Sequence, residues 1–160
     1  MEFQKLFEMQ AGLDSFIEET QNISRDVFKE KSLALLVELA ELSNETRCFK
    51  FWSSKGPSER AVILEEFVDS IHFMLSLGNM RGFTLSSWPT VATDMDLTDA
   101  FLMTTATVLK FIEQPTAKTY DVIWHDYAVL AHNLGFTVED IIGAYIEKNE
   151  KNYERQRSGY

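Results

Sequence analysis

Apolar residues recur along this chain at spacings of three and four, and no long stretch alternates, so the pattern predicts helices almost throughout. Six are expected. The first, from about Phe3 to Asn22, carries Phe3, Leu6, Phe7, Gln10, Leu13 and Ile17 along one side. The second runs from about Ser24 to Phe49. In the loop FWSSKGPSE that follows, Gly56 and Pro57 interrupt the pattern, and Pro57 suits the first turn of the next helix. That third helix, from about Ser58 to Leu77, is apolar nearly all round apart from its acids and His72, which predicts a place at the centre of a bundle. The run GNMRGFTLSSWPTVATDMD is rich in turn formers and is expected to be a loop or lid. A fourth helix spans about Leu97 to Glu113, and a fifth about Ala117 to Asn133 with Gly135 as its stop. The sixth starts at Thr137, where Thr-Val-Glu-Asp suits a capping box, and reaches about Arg157. Neither a repeat nor a linker interrupts the series, so the expected architecture is one all-α domain over residues 1–160.

Two helices carry acidic pairs of the same spacing. Glu38 and Glu41 lie in ELAEL, Glu66 and Asp69 in EEFVD, and the pairs are 28 residues apart. A separation of three on a helix turns through about 300°, which leaves both members of a pair on one face. Val62, Ile63, Phe73 and Leu77 surround Glu66 on the wheel, and Leu35 and Leu42 flank the stripe of Glu38, Glu41 and Glu45. Acids that emerge from apolar faces are costly to bury unpaired, and a bound cation removes the cost. Carboxylate oxygens without sulfur or imidazole suit Mg²⁺ or Mn²⁺. Either pair alone would equally suit a solvated helix face.

Composition narrows the partners. Twenty-five acidic against 15 basic residues give a net charge of −10, which argues against a nucleic-acid surface or an anionic membrane. A phosphate-bearing ligand would need its field countered locally, by metal ions and a few placed cations. The lone cysteine, Cys48, cannot form an intrachain disulfide and favours a reducing, cytoplasmic setting. MEFQKLFEMQ lacks the features of a signal peptide, and the most apolar window, Ala61 to Leu77, is broken by three acids and does not read as membrane-spanning.

Lys148, Asn152 and Arg155 fall on one stripe of the sixth helix, with Tyr145 a turn earlier. The stripe suits a phosphate clamp, but periodicity alone favours a solvated helix whose basic residues sit near its negative end. His72 follows Asp69 by three, but a di-iron bundle needs Glu-x-x-His on two helices, and neither His125 nor His132 has an acid three residues before it. Trp52 and Phe51, beside Lys50 and Arg47, suit stacking on a base or plugging the loop. Gln10 on its apolar face needs partners, from a base edge or from an internal network.

ELAELSNETRCFKFWS, EEFVDSIHFMLSLG and YIEKNEKNYERQRSGY together closely resemble the dimeric, all-α dUTP diphosphatases of some bacteria, phages and trypanosomatids, relatives of the MazG-like nucleotide pyrophosphohydrolases. The similarity runs from MQAGLDSFI to the final GY. It implies Mg²⁺ held by Glu38, Glu41, Glu66 and Asp69, with Glu38 also activating the attacking water. It implies phosphate contacts from Lys148, Asn152 and Arg155, and a nucleoside pocket drawn from Gln10, Asn44, Lys50, Trp52, His72 and Phe73. It further implies a homodimer whose sites borrow groups from the partner, and hydrolysis of dUTP to dUMP and pyrophosphate by attack at the β-phosphorus. The chain is shorter than the trypanosomatid enzymes, so any lid would come from residues 78–96 and the SGY tail. Two alternatives remain at this level: a pyrophosphatase acting on dCTP or a non-standard dNTP, and a nucleotide-sensing helical module that engages a regulatory protein.

Overall fold

The computed structural model describes residues 2–160, and among these every regular element is a helix: α1 (Glu2–Thr20), α2 (Phe28–Thr46), α3 (Arg60–Arg81), α4 (Leu97–Glu113), α5 (Ala117–Leu134) and α6 (Val138–Arg157). The all-α, six-helix expectation holds. α3 is the hub, packing against α1, α2 and α6, while α4 pairs with α5 and also touches α2. Ile63, Phe67, Ile71, Met74 and Leu77 of α3 are buried, as its nearly continuous apolar surface predicts. The core it enters is aromatic: Trp124, Tyr120, Tyr127 and Phe111 are fully buried.

Caps explain the boundaries. Thr137 accepts from the Asp140 amide while Asp140 accepts from the Thr137 amide, the reciprocal capping box expected for α6. Gly135 stops α5 at φ 72°, a left-handed conformation in which glycine has no Cβ to clash.

Four expectations need correction. α2 is shorter at both ends, because Asp26 Oδ1 takes the Phe28 amide ahead of the first turn and Arg47 turns left-handed, φ 59°, after the last. α3 runs past Leu77 to Arg81, since Gly78 stays helical and Gly82 supplies the left-handed stop. Pro57 lies ahead of α3 rather than in its first turn, which begins only at Arg60 with Glu59 as N-cap. The run expected as a loop or lid loses residues 78–81 to α3, and beyond Gly82 it is a loop pinned to the core: Phe83, Leu85, Trp88, Val91 and Met95 pack on the hydrophobic cluster, and Trp88 stacks on Phe3 with ring centroids 5.8 Å apart. Its apolar side chains gain more from burial than a solvated loop would.

Candidate active site

Because α2 and α3 lie side by side, their acids converge. Oxygens of Glu38 on α2 and of Glu66 and Asp69 on α3 lie within 4.8 Å of one another. All three residues are half-buried. Burial, then the adjacent Glu41 carboxyl and the charges of Asp69 and Glu66, push the Glu38 carboxyl up to about 8. Burial and Asp69 raise Glu66 to about 7. Burial also raises Asp69, against the opposing pull of Lys148. Glu38 Oε2 is buried and has no hydrogen-bond partner among the described residues. Such an orphaned oxygen in a crowded anionic cluster fits a hard divalent cation, whose opposed oxygen ligands stand about 4.2 Å apart at bond lengths of about 2.1 Å. Glu41 is exposed beside Glu38, outside the converging trio.

α6 brings cations to the same place. Lys148 is buried on this face and donates to Glu65 Oε1 at 2.9 Å and to Asp69, whose Oδ1 is 3.0 Å away. Burial disfavours its charge, but the two carboxylates outweigh that and raise its pKa. One and two turns on, Asn152 and Arg155 line a cavity of about 280 Å³ together with Glu38 and Asp69. The phosphate-clamp reading of this stripe therefore has a cavity to act on. The Arg155 guanidinium rests 5.4 Å from the ring of Tyr160, whose carbonyl accepts from Gln21 Nε2 at 3.1 Å, so the C-terminal residues fold back beside it.

The rest of the cavity is built by α1 and α3. Gln10 is buried: its Nε2 donates to Asp14 Oδ1 at 2.9 Å, and its Oε1 accepts from the Tyr145 hydroxyl at 2.8 Å. With the amide so fixed, the same Oε1 accepts from His72 Nδ1–H at 2.7 Å. His72 is thereby the neutral tautomer with an unpartnered Nε2, stacked on Tyr145 at 4.3 Å, and burial, aided by the Lys148 charge, lowers its pKa to about 3. It is not part of the carboxylate cluster, which removes the di-iron resemblance. Ser76 donates to Asp14 Oδ2 at 2.6 Å, and Lys31 approaches the same oxygen at 3.7 Å. Leu13, Ile17, Val27 and Phe73 supply apolar wall.

Gln10, His72, Phe73, Lys148, Asn152 and Arg155 thus share the cavity with Glu38 and Asp69, whereas Asn44, Lys50 and Trp52 do not line it. Asn44 is exposed near the C-terminal end of α2, and Lys50 and Trp52 belong to the loop 47–59, which Arg47 braces by donating to Lys55 O and Ser53 Oγ. That loop carries its aromatics outward, with Trp52 65% exposed and Phe51 93%. Sequence reasoning missed Asp14, Lys31 and Ser76. A signal was there: Lys31 precedes Glu38 by seven and Ser76 follows Asp69 by seven, two turns along the same faces.

No helix among the described residues is long and apolar enough to cross a membrane. No curated protein matches the chain. The family model described as dUTPase matches residues 2–160.

Proposed function

The chain belongs to the dUTPase family and hydrolyses dUTP to dUMP and pyrophosphate, and we propose that it does so in the cavity shared by α1, α2, α3 and α6. The observation that carries this reading is the meeting, across one cavity, of Glu38 and Asp69 with Lys148, Asn152 and Arg155. Phosphoryl transfer needs mainly positioning and charge stabilisation, which carboxylates, divalent ions and a few cations supply without a covalent nucleophile.

Glu38, Glu66 and Asp69, with Glu41 at their edge, would hold Mg²⁺ or Mn²⁺. When bound, the ion would withdraw charge from the phosphates and acidify a water. Glu38 is the base: its carboxylate takes the proton of the attacking water, whose oxygen bonds to phosphorus as the bridging bond to the departing phosphate breaks. Lys148, Asn152 and Arg155 donate to the phosphate chain and fix it in line.

The nucleoside would extend away from the carboxylates. Lys31 lies seven residues from Glu38 on α2, about 10 Å along the helix axis, which suits the distance from phosphate to the far edge of a base. At that end Lys31 offers donors and Asp14 an acceptor side by side, the complement of a uracil carbonyl and its neighbouring N–H, while Leu13, Ile17 and Phe73 cover the ring and Gln10 and His72 line the path. Two chains would form the working unit. The apolar groove between α2 and α4, edged by exposed Leu102 and Leu109, is the face that supports a homodimer, and Trp52, Lys50 and Asn44 would serve a site only through such a partner.

The test is pyrophosphate release from dUTP, dCTP, dTTP and UTP with Mg²⁺, repeated with EDTA and with Glu38→Gln. Selective, metal-dependent release from dUTP that disappears in a folded Glu38→Gln chain is expected. Near-normal turnover by that variant would remove Glu38 from the reaction, and preference for another nucleotide would replace the base assignment.

A further inference from the structure

Lys148 does more than line the cavity. Its ammonium sits between Glu65 and Asp69, which are four residues apart and so one turn apart on the same face of α3, at 2.9 Å from the first and 3.0 Å from the second. Its side chain is 10% exposed, whereas Glu65 is 46% exposed and stands outside the converging trio of Glu38, Glu66 and Asp69. A nearly buried ammonium beside a carboxylate of that trio competes with a divalent ion for the same oxygens, because two cations cannot share Asp69 at contact distance without strong repulsion. An ion bound there requires Lys148 to give up Asp69, and a desolvated ammonium that gives up one carboxylate needs another. Glu65 is within hydrogen-bond reach already.

Resting on the reading that the trio holds the metal, we propose that Glu65 is a positioning residue: it takes over the Lys148 ammonium from Asp69 when a divalent ion occupies the carboxylates, and thereby holds Lys148 at the edge of the site, facing the phosphate path. Lys148 is then a tethered counter-cation. It neutralises Asp69 in the metal-free chain and is handed to Glu65 and substrate phosphate in the loaded one. Glu65 acts wholly through Lys148 in this arrangement, so its effect on metal affinity vanishes when the lysine is gone. A carboxylate acting only by its long-range field would have the same effect with or without the lysine.

The experiment is a double-mutant cycle read by calorimetric Mn²⁺ binding to the full chain without nucleotide, with the thermal midpoint of each variant recorded. Glu65→Gln is expected to weaken Mn²⁺ binding on the order of fivefold, as Lys148 falls back onto Asp69. Lys148→Gln is expected to tighten it by a similar factor, and Glu65→Gln in the Lys148→Gln background to change it by less than about twofold. Equal weakening by Glu65→Gln in both backgrounds overturns the proposal in favour of a plain field effect. No change in either background also overturns it, leaving Glu65 and Lys148 an ion pair without bearing on the metal. If Lys148→Gln does not fold, Lys148→Met keeps the stem and completes the cycle. Glu38→Gln is the control for the underlying reading: if it binds Mn²⁺ as tightly as the parent, or the parent binds none, the metal assignment itself is wrong and the Glu65 role goes with it. Loss of binding in Glu38→Gln together with an additive cycle overturns only the role of Glu65.

Discussion

Lys31 on α2 and Asp14 on α1 meet at 3.7 Å at the end of the cavity away from Glu38, a donor and an acceptor side by side against apolar wall. Asp14 is held by Gln10 and Ser76, whereas Lys31 is paired to it only loosely. The lysine therefore has donors to spare for a ligand. Lys31→Met is expected to raise KM for dUTP on the order of tenfold with little change in kcat, the signature of binding energy lost equally from ground and transition states. Steady-state kinetics with dUTP and dCTP check it. A fall in kcat at constant KM would place Lys31 with the reacting groups instead.

Metal binding should release protons. Glu38, raised to about 8, and Glu66, raised to about 7, are partly protonated at pH 7, and both must ionise to act as ligands. Calorimetry in buffers of different ionisation enthalpy should report roughly one proton per ion at pH 7, falling toward none by about pH 9. Apparent Mg²⁺ affinity should rise with pH over the same interval. The linkage for the metal-free fold has the opposite sense: its carboxyls keep their protons to higher pH than the unfolded chain, so stability falls as pH rises from about 4.5 toward 8. Buffer-independent heats would contradict the raised values.

His72 should make the fold acid-sensitive. In the unfolded chain it protonates near 6.5, but in the fold it stays neutral down to about 3, because burial and Lys148 oppose its charge. The unfolded state binds the extra proton throughout that window, so this contribution is complete above 6.5 and is lost as pH falls, by up to about 1.4 kcal/mol per pH unit. Urea unfolding at pH 6.5 and 5 should show a smaller acid loss in His72→Gln than in the parent, and the comparison cancels the carboxyls that both chains share. Equal losses would mean that His72 is protonated in the fold.

Gly78 of α3 lies against the Tyr120 side chain of α5. A Cβ there would lie 2.7 Å from the Tyr120 ring Cζ and 2.9 Å from Phe83 O, and it would collide with the hydroxyl that donates to Met74 O at 2.6 Å. Gly78→Ala, which an isolated helix would favour, is expected to destabilise the protein by about 2 kcal/mol and to lower its thermal midpoint by roughly 5 °C. Differential scanning of the metal-free chain measures it, and an unchanged or higher midpoint would show that Tyr120 yields readily.

How much could be read in advance differs from one element to another. α4 has the bounds its periodicity implies, and Thr137 and Gly135 cap as their types require, because these are local effects of hydrogen bonding and φ angle. Glu38, Glu66 and Asp69 were visible because acids on apolar faces need a partner, and a spacing of three aims Glu66 and Asp69 one way; the same spacing pointed equally to Glu41, which the fold leaves exposed outside the trio. The run through Trp88 is legible as a loop, but its packing on the core is not, because turn formers report where a chain bends, not what its aromatics meet. Asp14, Lys31 and Ser76 look like ordinary polar positions until α1, α2 and α3 are placed around one cavity.

By itself, then, the amino-acid sequence determined six helices, the caps at Gly135 and Thr137 and which faces carry charge, since each depends on neighbours within a turn or two along one chain segment. Only the tertiary structure decided that Lys148 of α6 stands between Glu65 and Asp69 of α3, that Gln10 of α1 sets the tautomer of His72, and that Trp52 is exposed and outside the cavity lining. Those relationships depend on how helices cross, and crossing is fixed by the packing of the whole core rather than by any stretch of residues.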